Sequence, residues 1–511
     1  MWANSPWRFK SSPAHSGHPF GAFVYVTYAR LVRELCGHAI EVALGSGAGY
    51  ADARAVTRRV QNVSTKNGEV ESVSDGETEG IGVRVLVDGA WGFACDRRLS
   101  DEGAREAAQR AVAFAVASAG RPGRRKVELA AIPAEQGEYR TPAERDPIDV
   151  PLSEKVDLCL RAEAGMKHAD VEITEATIRA QREERAFRTS EGADIMQRFV
   201  ECGAGIDALA VSEGRVQIRS YPSAHGGSSA QAGWEYVDGL DLEGEAPRVG
   251  EQAAALLRAD ACPASVTTVV LDSEQMVLQV HESVGHPTEL DRVYGTEAAY
   301  AGTSFLKPGD LGSLRYGSDL MNVTADSTTP SGLGTFAYDD EGVPAGRQPV
   351  VEAGVLRGFL SSRETSALIG AGAGGSMRAD GWSRMPLVRM TNLHLEPGEG
   401  SVDDLLADVD DGLYLETNKS WSIDDKRLNF QFGTQIAWEI KQGRLGKMLR
   451  DATYMGVTPV FWSRLDAVAG KEHWKLYGLT NCGKGQPGQH AHVSHGTAAG
   501  RFRNVQVGVR S

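Results

Sequence analysis

Two histidines and a glutamate fall within six residues near the middle of the chain, in the hexapeptide HESVGH at 281–286. Two imidazoles can bind a divalent metal, and a carboxylate next to them can act as a general base. The segment therefore predicts a hydrolytic metal site, with His281 and His286 as ligands and Glu282 as the catalytic base.

The spacing of the two histidines is one residue longer than in the common zinc-protease pattern HExxH. On an ideal α-helix, residues five positions apart diverge by about 140°, so the two rings would not share a face. Gly285 weakens the last helical turn, and Pro287 biases His286 away from helical geometry. We therefore expect a wide turn, a π-bulge or a helix end at 285–287 that brings His286 back towards His281.

A catalytic zinc usually has three protein ligands, and Cys482 is the best candidate for the third. It lies in the glycine-flanked segment NCGKG, which allows close approach to a metal, and Lys484 favours the thiolate form. The alternative is a thiol with only a packing role. His490, His492 and His495 follow closely in the sequence and are rival ligands or a second site.

Five further residues are candidates for roles around the reacting groups. Tyr338 and Arg389 are candidates for stabilising the oxyanion, and together with Asn392 they are the predicted substrate contacts. Glu289 and Asp291 are candidates for orienting the ligating imidazoles through hydrogen bonds. An ordinary structural role is the alternative for Tyr338 and Arg389, and a solvated helix end is the alternative for Glu289 and Asp291.

The local sequence around the hexapeptide predicts the elements that position it. The apolar run 266–271 is typical of a strand, and Asp272 and Ser273 are good helix N-caps. Apolar residues then recur at helical spacing up to Val284, which predicts a helix with one buried face.

The pattern of elements predicts the α+β class. Residues 1–29 show little periodicity and are expected to be a poorly ordered extension. Two units, 30–130 and 151–262, each resemble helix–four strands–helix and are joined by a Pro-, Glu- and Arg-rich linker at 131–150. Residues 263–511 are expected to form an antiparallel β-rich domain that carries the metal site.

Turn signals divide the strands of both units into short pieces. In the first unit we expect separate strands at 70–73 and 80–87. In the second unit we expect strands at 171–179 and 184–188, paired across a short turn. In the third region, Gln442-Gly443 predicts a hairpin between two strands.

Composition excludes several classes of partner. A formal net charge of −14 over 511 residues argues against binding to nucleic acid or to an anionic membrane surface. No apolar run approaches the roughly 18 residues that span a bilayer. The six cysteines are dispersed, which is typical of reduced thiols in the cytoplasm.

Four segments carry a resemblance to a known family. The chain resembles the TldD/PmbA metalloproteases, specifically the metal-carrying TldD type, over about residues 31–511. The most specific segments are HESVGHPTELDR (281–292), MPLVRMTNLHLEPG (385–398), the run at 420–456, and NCGKGQPGQ (481–489).

The resemblance implies one zinc ion per chain, bound by His281, His286 and Cys482, with Glu282 as base. It also implies a PmbA/TldE-like partner subunit, with a homodimer as the alternative. The implied substrates are unfolded or flexible peptides, held as an added β-strand and cleaved in leader-peptide trimming or small-protein degradation.

Two other functions are compatible with the sequence. One is a non-catalytic structural subunit of a TldD/PmbA-like hetero-oligomer, although such a subunit has no need for an intact HExxxH segment. The other is a metal-dependent hydrolase of a small metabolite, which would have a closed pocket at Glu282 and no strand edge beside it.

Overall fold

The computed structural model describes residues 19–123, 125–224 and 226–508, which form an α+β protein. No helix within these ranges is both long and apolar enough to cross a membrane. The N-terminal elements are α1 (Pro19–Gly45), β1 (Tyr50–Lys66), β2 (Glu69–Val87), β3 (Ala90–Asp96), α2 (Asp101–Ala119), β4 (Gln136–Arg140), α3 (Leu152–Gly165), β5 (Val171–Thr189), β6 (Asp194–Ser212), β7 (Arg215–Tyr221), β8 (Ser228–Ala230), α4 (Glu235–Gly239) and α5 (Leu242–Leu256).

The two predicted N-terminal units share one sheet. Its strand order is β3-β2-β1-β5-β6-β4, with β7 and β8 also paired to β6. The units meet where β1 runs antiparallel to β5, from Asp52↔Thr189 to Lys66↔Glu175. The predicted linker 131–150 contains β4, which extends the sheet beyond β6.

Long pairing corrects the predicted strand divisions. The strands expected at 70–73 and 80–87 are one strand, β2, so the first unit has three strands rather than four. The strands expected at 171–179 and 184–188 are likewise one strand, β5. Each is paired along its whole length, and these ladder hydrogen bonds override the local turn signals.

The N-terminal extension is also shorter than predicted. Helix α1 begins at Pro19, so part of the expected extension 1–29 is helical. Residues 1–18, where poor order was expected, lie outside the described residues.

The C-terminal region contains a second large sheet and several small ones. Its elements are β9 (Asp260–Ala261), β10 (Ser265–Leu271), α6 (Ser273–Val280), α7 (Leu290–Val293), β11 (Val323–Asp326), β12 (Arg347–Glu352), β13 (Val355–Leu356), α8 (Arg363–Ile369), β14 (Met377–Arg378), β15 (Leu387–Val388), β16 (Leu393–Leu395), α9 (Val402–Ala407), β17 (Asp411–Ile423), β18 (Asn429–Lys441), β19 (Arg444–Arg450), β20 (Thr453–Val457), α10 (Thr458–Trp462), β21 (Leu465–Val468), β22 (Lys475–Lys484), β23 (Gln489–Thr497) and β24 (Gly500–Val507).

The large C-terminal sheet is mixed, which corrects the antiparallel prediction. Its order is β17-β10-β24-β20-β18-β19-β9. Most pairs are antiparallel, including the hairpin β18–β19 expected around Gln442-Gly443. However, β10 runs parallel to β17, and β9 runs parallel to β19. A helix rather than a hairpin turn follows β10, so its sheet neighbour β17 is distant in sequence and free to run parallel.

Buried ion pairs join the N-terminal sheet to the C-terminal region. Arg84 on β2 contacts Asp52 at 2.7 Å and Glu341 at 3.1 Å. Arg185 on β5 contacts Asp340 at 2.8 Å. Asp340 and Glu341 lie on the loop that follows Tyr338, whereas Asp52 lies on β1. The two arginines therefore attach this C-terminal loop to the N-terminal sheet.

Candidate metal centre

The wide turn predicted at the hexapeptide is present. Helix α6 is capped by Asp272, whose carboxylate accepts a hydrogen bond from Gln275 N at 2.7 Å. It continues into a π-helical turn at His281–Gly285, followed by a 3₁₀ turn at His286–Thr288. A π turn closes with an i→i+5 bond, here from the His286 N–H to the His281 carbonyl, so residues five apart come together.

This turn places the two imidazoles side by side. The ring centroids of His281 and His286 are 4.9 Å apart. A Cβ at position 285 would lie 2.1 Å from Met390 Sδ, so a larger residue there would displace the Met390 side chain or the turn. Gly285 therefore packs closely against Met390 at the turn that brings the two rings together.

Cys482 joins the two histidines. It lies on β22, opposite Ala491 on β23. Its Sγ is 3.8 Å from His286 Nε2, and the potential ligand atoms of His281, His286 and Cys482 all lie within 4.8 Å of one another. Two imidazole nitrogens and one thiolate are a donor set that suits zinc.

The charges around these groups favour metal binding by the thiol. Burial by itself raises the pKa of Cys482, but the positive charges of His281 and Arg389 outweigh it and hold the pKa well below its ordinary value. Burial by itself lowers the pKa of His286, but Glu289 and Cys482 outweigh it and raise that pKa to about 9. A metal binds the thiolate and the neutral imidazole, so metal binding at this cluster depends on pH.

Hydrogen bonds at the Nδ1 atoms orient both imidazoles. His286 Nδ1 lies 3.0 Å from Glu289 Oε2, so its Nε2 faces Cys482. His281 Nδ1 lies 2.8 Å from His495 Nε2, and His495 Nδ1 donates to the Leu393 carbonyl at 3.0 Å. This chain makes His281 Nδ1 the protonated nitrogen and leaves its Nε2 as the potential ligand atom.

A buried ion-pair network of Lys484, Asp291 and Glu289 lies next to these histidine contacts. Lys484 Nζ lies 2.8 Å from Asp291 and 3.2 Å from Glu289, and it donates to the Val388 carbonyl at 2.7 Å. Glu289 thus contacts a histidine of the cluster, whereas Asp291 contacts Lys484. Lys484 was expected to favour the Cys482 thiolate, but Arg389 is the cation with the larger effect on that thiol.

Arg389 and Asn392 use their polar atoms within the fold. Arg389 is 1% exposed and donates to the backbone carbonyl of Cys482. Asn392 is fully buried, donates to the Asp326 carbonyl at 2.8 Å and accepts from Gly334 N at 2.8 Å. These contacts hold the cysteine strand and a glycine-rich loop, and substrate contact by either residue stays a prediction.

Tyr338, His490 and His492 lie elsewhere, in a cleft between the first sheet and the C-terminal loops. His492 Nδ1 is 2.5 Å from Glu201 on β6. Within the described ranges, the only group of three such side chains close enough to hold a metal is that of His281, His286 and Cys482. His490 and His492 therefore lie outside this cluster, whereas His495 contacts His281.

The predicted base carries a partner that sequence reasoning missed. Glu282 is 7% exposed, and its Oε2 forms an ion pair with Nη1 of Arg427. Arg427 lies in the turn between β17 and β18. It falls inside one of the segments with family resemblance, 420–456, but no spacing rule links residue 427 to residue 282.

Comparison with protein families accounts for most of the chain. Residues 51–115 match domain 1 of the PmbA/TldA metallopeptidases, residues 145–260 match their central domain, and residues 264–508 match their C-terminal domain. A metalloprotease of Methanothermobacter thermautotrophicus is 30% identical over 461 residues, covering 90% of this chain and 95% of that protein. A zinc metalloprotease TldD homolog of Saccharolobus solfataricus is 22% identical over 475 residues, covering 90% and 97%.

Solved structures share the fold. A crystal structure of a Thermotoga maritima protein superposes with a TM-score of 0.73 at 18% identity, covering 93% of this chain and 99% of that one. TldE from Thermococcus kodakarensis superposes with a TM-score of 0.68 at 15% identity, covering 92% and 99%. Fold, matched domains and relatives agree, and the chain belongs to the PmbA/TldD family of metallopeptidases.

Proposed function

We propose that this metallopeptidase is zinc-dependent and cleaves unfolded or flexible peptides, in leader-peptide trimming or small-protein degradation. The observation that carries the proposal is the meeting of the potential ligand atoms of His281, His286 and Cys482 within 4.8 Å. Glu282 is the chain neighbour of His281. The name of one relative specifies zinc. We infer one zinc ion per chain, held by these three side chains.

The chain's own residues divide the remaining work. When bound, zinc supplies Lewis-acid activation of water and of the scissile carbonyl. Glu282 accepts the proton of the attacking water and later delivers it to the leaving amine. His495 and Glu289 hold the two imidazoles in the tautomers that metal binding needs.

The remaining predictions extend this proposal. Tyr338, Arg389 and Asn392 are proposed substrate contacts, and the position of Tyr338 in a cleft supports its assignment. Glu289 is proposed to orient His286 directly. Asp291 is proposed to act one contact further away, through Lys484.

Partner and location follow from the same family. We infer assembly with a PmbA/TldE-like subunit or as a homodimer, and the structural likeness to TldE supports a shared subunit shape. We infer a cytoplasmic enzyme, supported by six unpaired cysteines, without a nucleic-acid or membrane partner. The domain division we propose is 30–130, 151–262 and 263–511.

Metal content and peptide cleavage test the proposal together. Mass spectrometry should find about one zinc per wild-type chain, and Cys482→Ala should lose it. Cys262→Ala is the matched control, because Cys262 lies outside the cluster. Glu282→Gln should keep zinc and cleave an unstructured peptide only at a small residual rate. A wild type that neither contains nor takes up zinc would overturn the proposal in favour of a structural subunit.

A further inference from the structure

The carboxylate of Glu282 has one side-chain partner. Its Oε2 meets Nη1 of Arg427, and the two side chains are 9% and 15% exposed. Within the described ranges this ion pair is the one side-chain hydrogen bond that Glu282 makes. A single strong contact to one oxygen restricts the rotation of a carboxylate and leaves Oε1 to accept a proton.

The turn that carries Arg427 is fixed from within. The Asp424 carboxylate accepts hydrogen bonds from the backbone of Leu428 at 2.8 Å and of Asn429 at 3.2 Å. The backbone of Arg427 is in the left-handed region, with φ of 62°, and its carbonyl accepts a hydrogen bond from Thr458 Oγ1 at 2.9 Å. A non-glycine residue in this region is strained and is maintained by its surroundings.

The same turn is bound to the segment that follows the histidines. Thr303 N donates to the Asp425 carbonyl at 2.9 Å, and Phe305 N donates to the Lys426 carbonyl at 2.8 Å. Arg292 in turn donates to the Thr303 carbonyl at 3.0 Å. These contacts tie the turn that carries Arg427 to the segment 303–305 and to α7, which follows the π turn of Glu282 in the chain.

We propose that Arg427 is the positioning residue of the catalytic base. It holds Oε2 of Glu282 so that the carboxylate keeps one orientation, in the way that an outer carboxylate holds a catalytic imidazole. This role rests on the proposed peptidase function. This role differs from the stabilisation of the oxyanion for which the sequence suggested Tyr338 and Arg389.

A double-mutant cycle separates positioning of the base from general support of the fold. Zinc-loaded full-length chain would be tested on an unstructured fluorogenic peptide, with Arg427→Ala made in the wild-type and Glu282→Gln backgrounds. Loss of an oriented proton acceptor should lower kcat about 10²-fold with little change in KM and in zinc content. In the Glu282→Gln background the same change should lower the residual rate by less than about threefold, because the group it positions is already gone.

Two further variants sharpen the test. Lys426→Ala removes an exposed cation from the same turn without touching Glu282, and it should cleave at the wild-type rate. Arg427→Lys keeps a cation and should recover part of the lost kcat, as should added guanidinium with Arg427→Ala. Equal fractional losses in both backgrounds, or a kcat for Arg427→Ala within about threefold of wild type, would overturn the proposal.

A failure of the peptidase function itself would look different. In that case wild type would bind zinc and cleave nothing, and Glu282→Gln would match it. Crystal structures of zinc-loaded wild type and Arg427→Ala then decide the positioning role without any activity. The proposal requires the Glu282 carboxylate to leave its wild-type position or to occupy several. An unchanged single position would overturn it.

Discussion

His495 provides the sharpest test of how the metal centre is held. Its ring is fully buried, and its Nε2 accepts the Nδ1–H of His281 at 2.8 Å. His495→Ala removes that acceptor, so the His281 ring loses both its fixed tautomer and its fixed rotation. The entropy lost in ordering the His281 ring would then in part oppose metal binding.

The size of the effect follows from this geometry. Loss of an outer hydrogen bond to a metal-binding histidine weakens metal affinity about 10- to 100-fold, or about 1.4–2.8 kcal/mol. Zinc dissociation constants from competition with a chromophoric chelator at fixed pH would measure it. His495→Gln can still offer an acceptor oxygen and should lose less affinity than His495→Ala.

His490→Ala is the matched control. His490 is an exposed residue of the same strand, and it lines the cleft rather than the cluster of candidate metal ligands. The zinc affinity of His490→Ala should therefore equal that of wild type. A folded His495→Ala variant whose zinc affinity stays within about threefold of wild type would refute the reasoning. Complete loss of zinc binding at any concentration would instead make His495 a ligand.

Three other expectations concern stability. Burial lowers the pKa of His394 to about 4, so this ring stays neutral in the folded chain while it protonates below pH ~6.5 in the unfolded chain. The contribution of His394 to the free energy of unfolding is complete above pH ~6.5 and declines as pH falls towards 4, by roughly 3 kcal/mol in total. In urea unfolding, the free energy of unfolding of His394→Gln should therefore change less with pH than that of wild type. An equally steep pH dependence would contradict this. Asp340→Ala removes one of the two carboxylate partners of Arg185, which keeps Glu183. It should lower the free energy of unfolding by about 1.5–3 kcal/mol, whereas a loss below about 1 kcal/mol would show that the pair adds little. Gly285→Ala forces a Cβ against Met390 Sδ and should cost about 1–3 kcal/mol of stability and weaken zinc binding, and normal zinc affinity would show that the turn can adjust.

The sequence alone determined the candidate donors of the centre and its local backbone. The residue types of HESVGH supply the candidate donors and the candidate base, and Gly285 with Pro287 indicates the departure from α-helical geometry that the structure contains. The buried face of α6 and the hairpin at Gln442-Gly443 were also predictable. All of these depend on residues a few positions apart, where spacing translates directly into geometry.

Tertiary structure decided which distant residues support the centre. The contacts of Arg427 with Glu282, of His495 with His281 and of Arg389 with the Cys482 carbonyl join segments about a hundred or more residues apart in sequence. Strand pairing likewise made β2 one continuous strand and β5 another, where the sequence predicted two pieces for each. It also set β10 parallel to β17. Local turn signals and side-chain spacing contain no information on these neighbours, because they are set by how the sheets pack and in what order the strands pair.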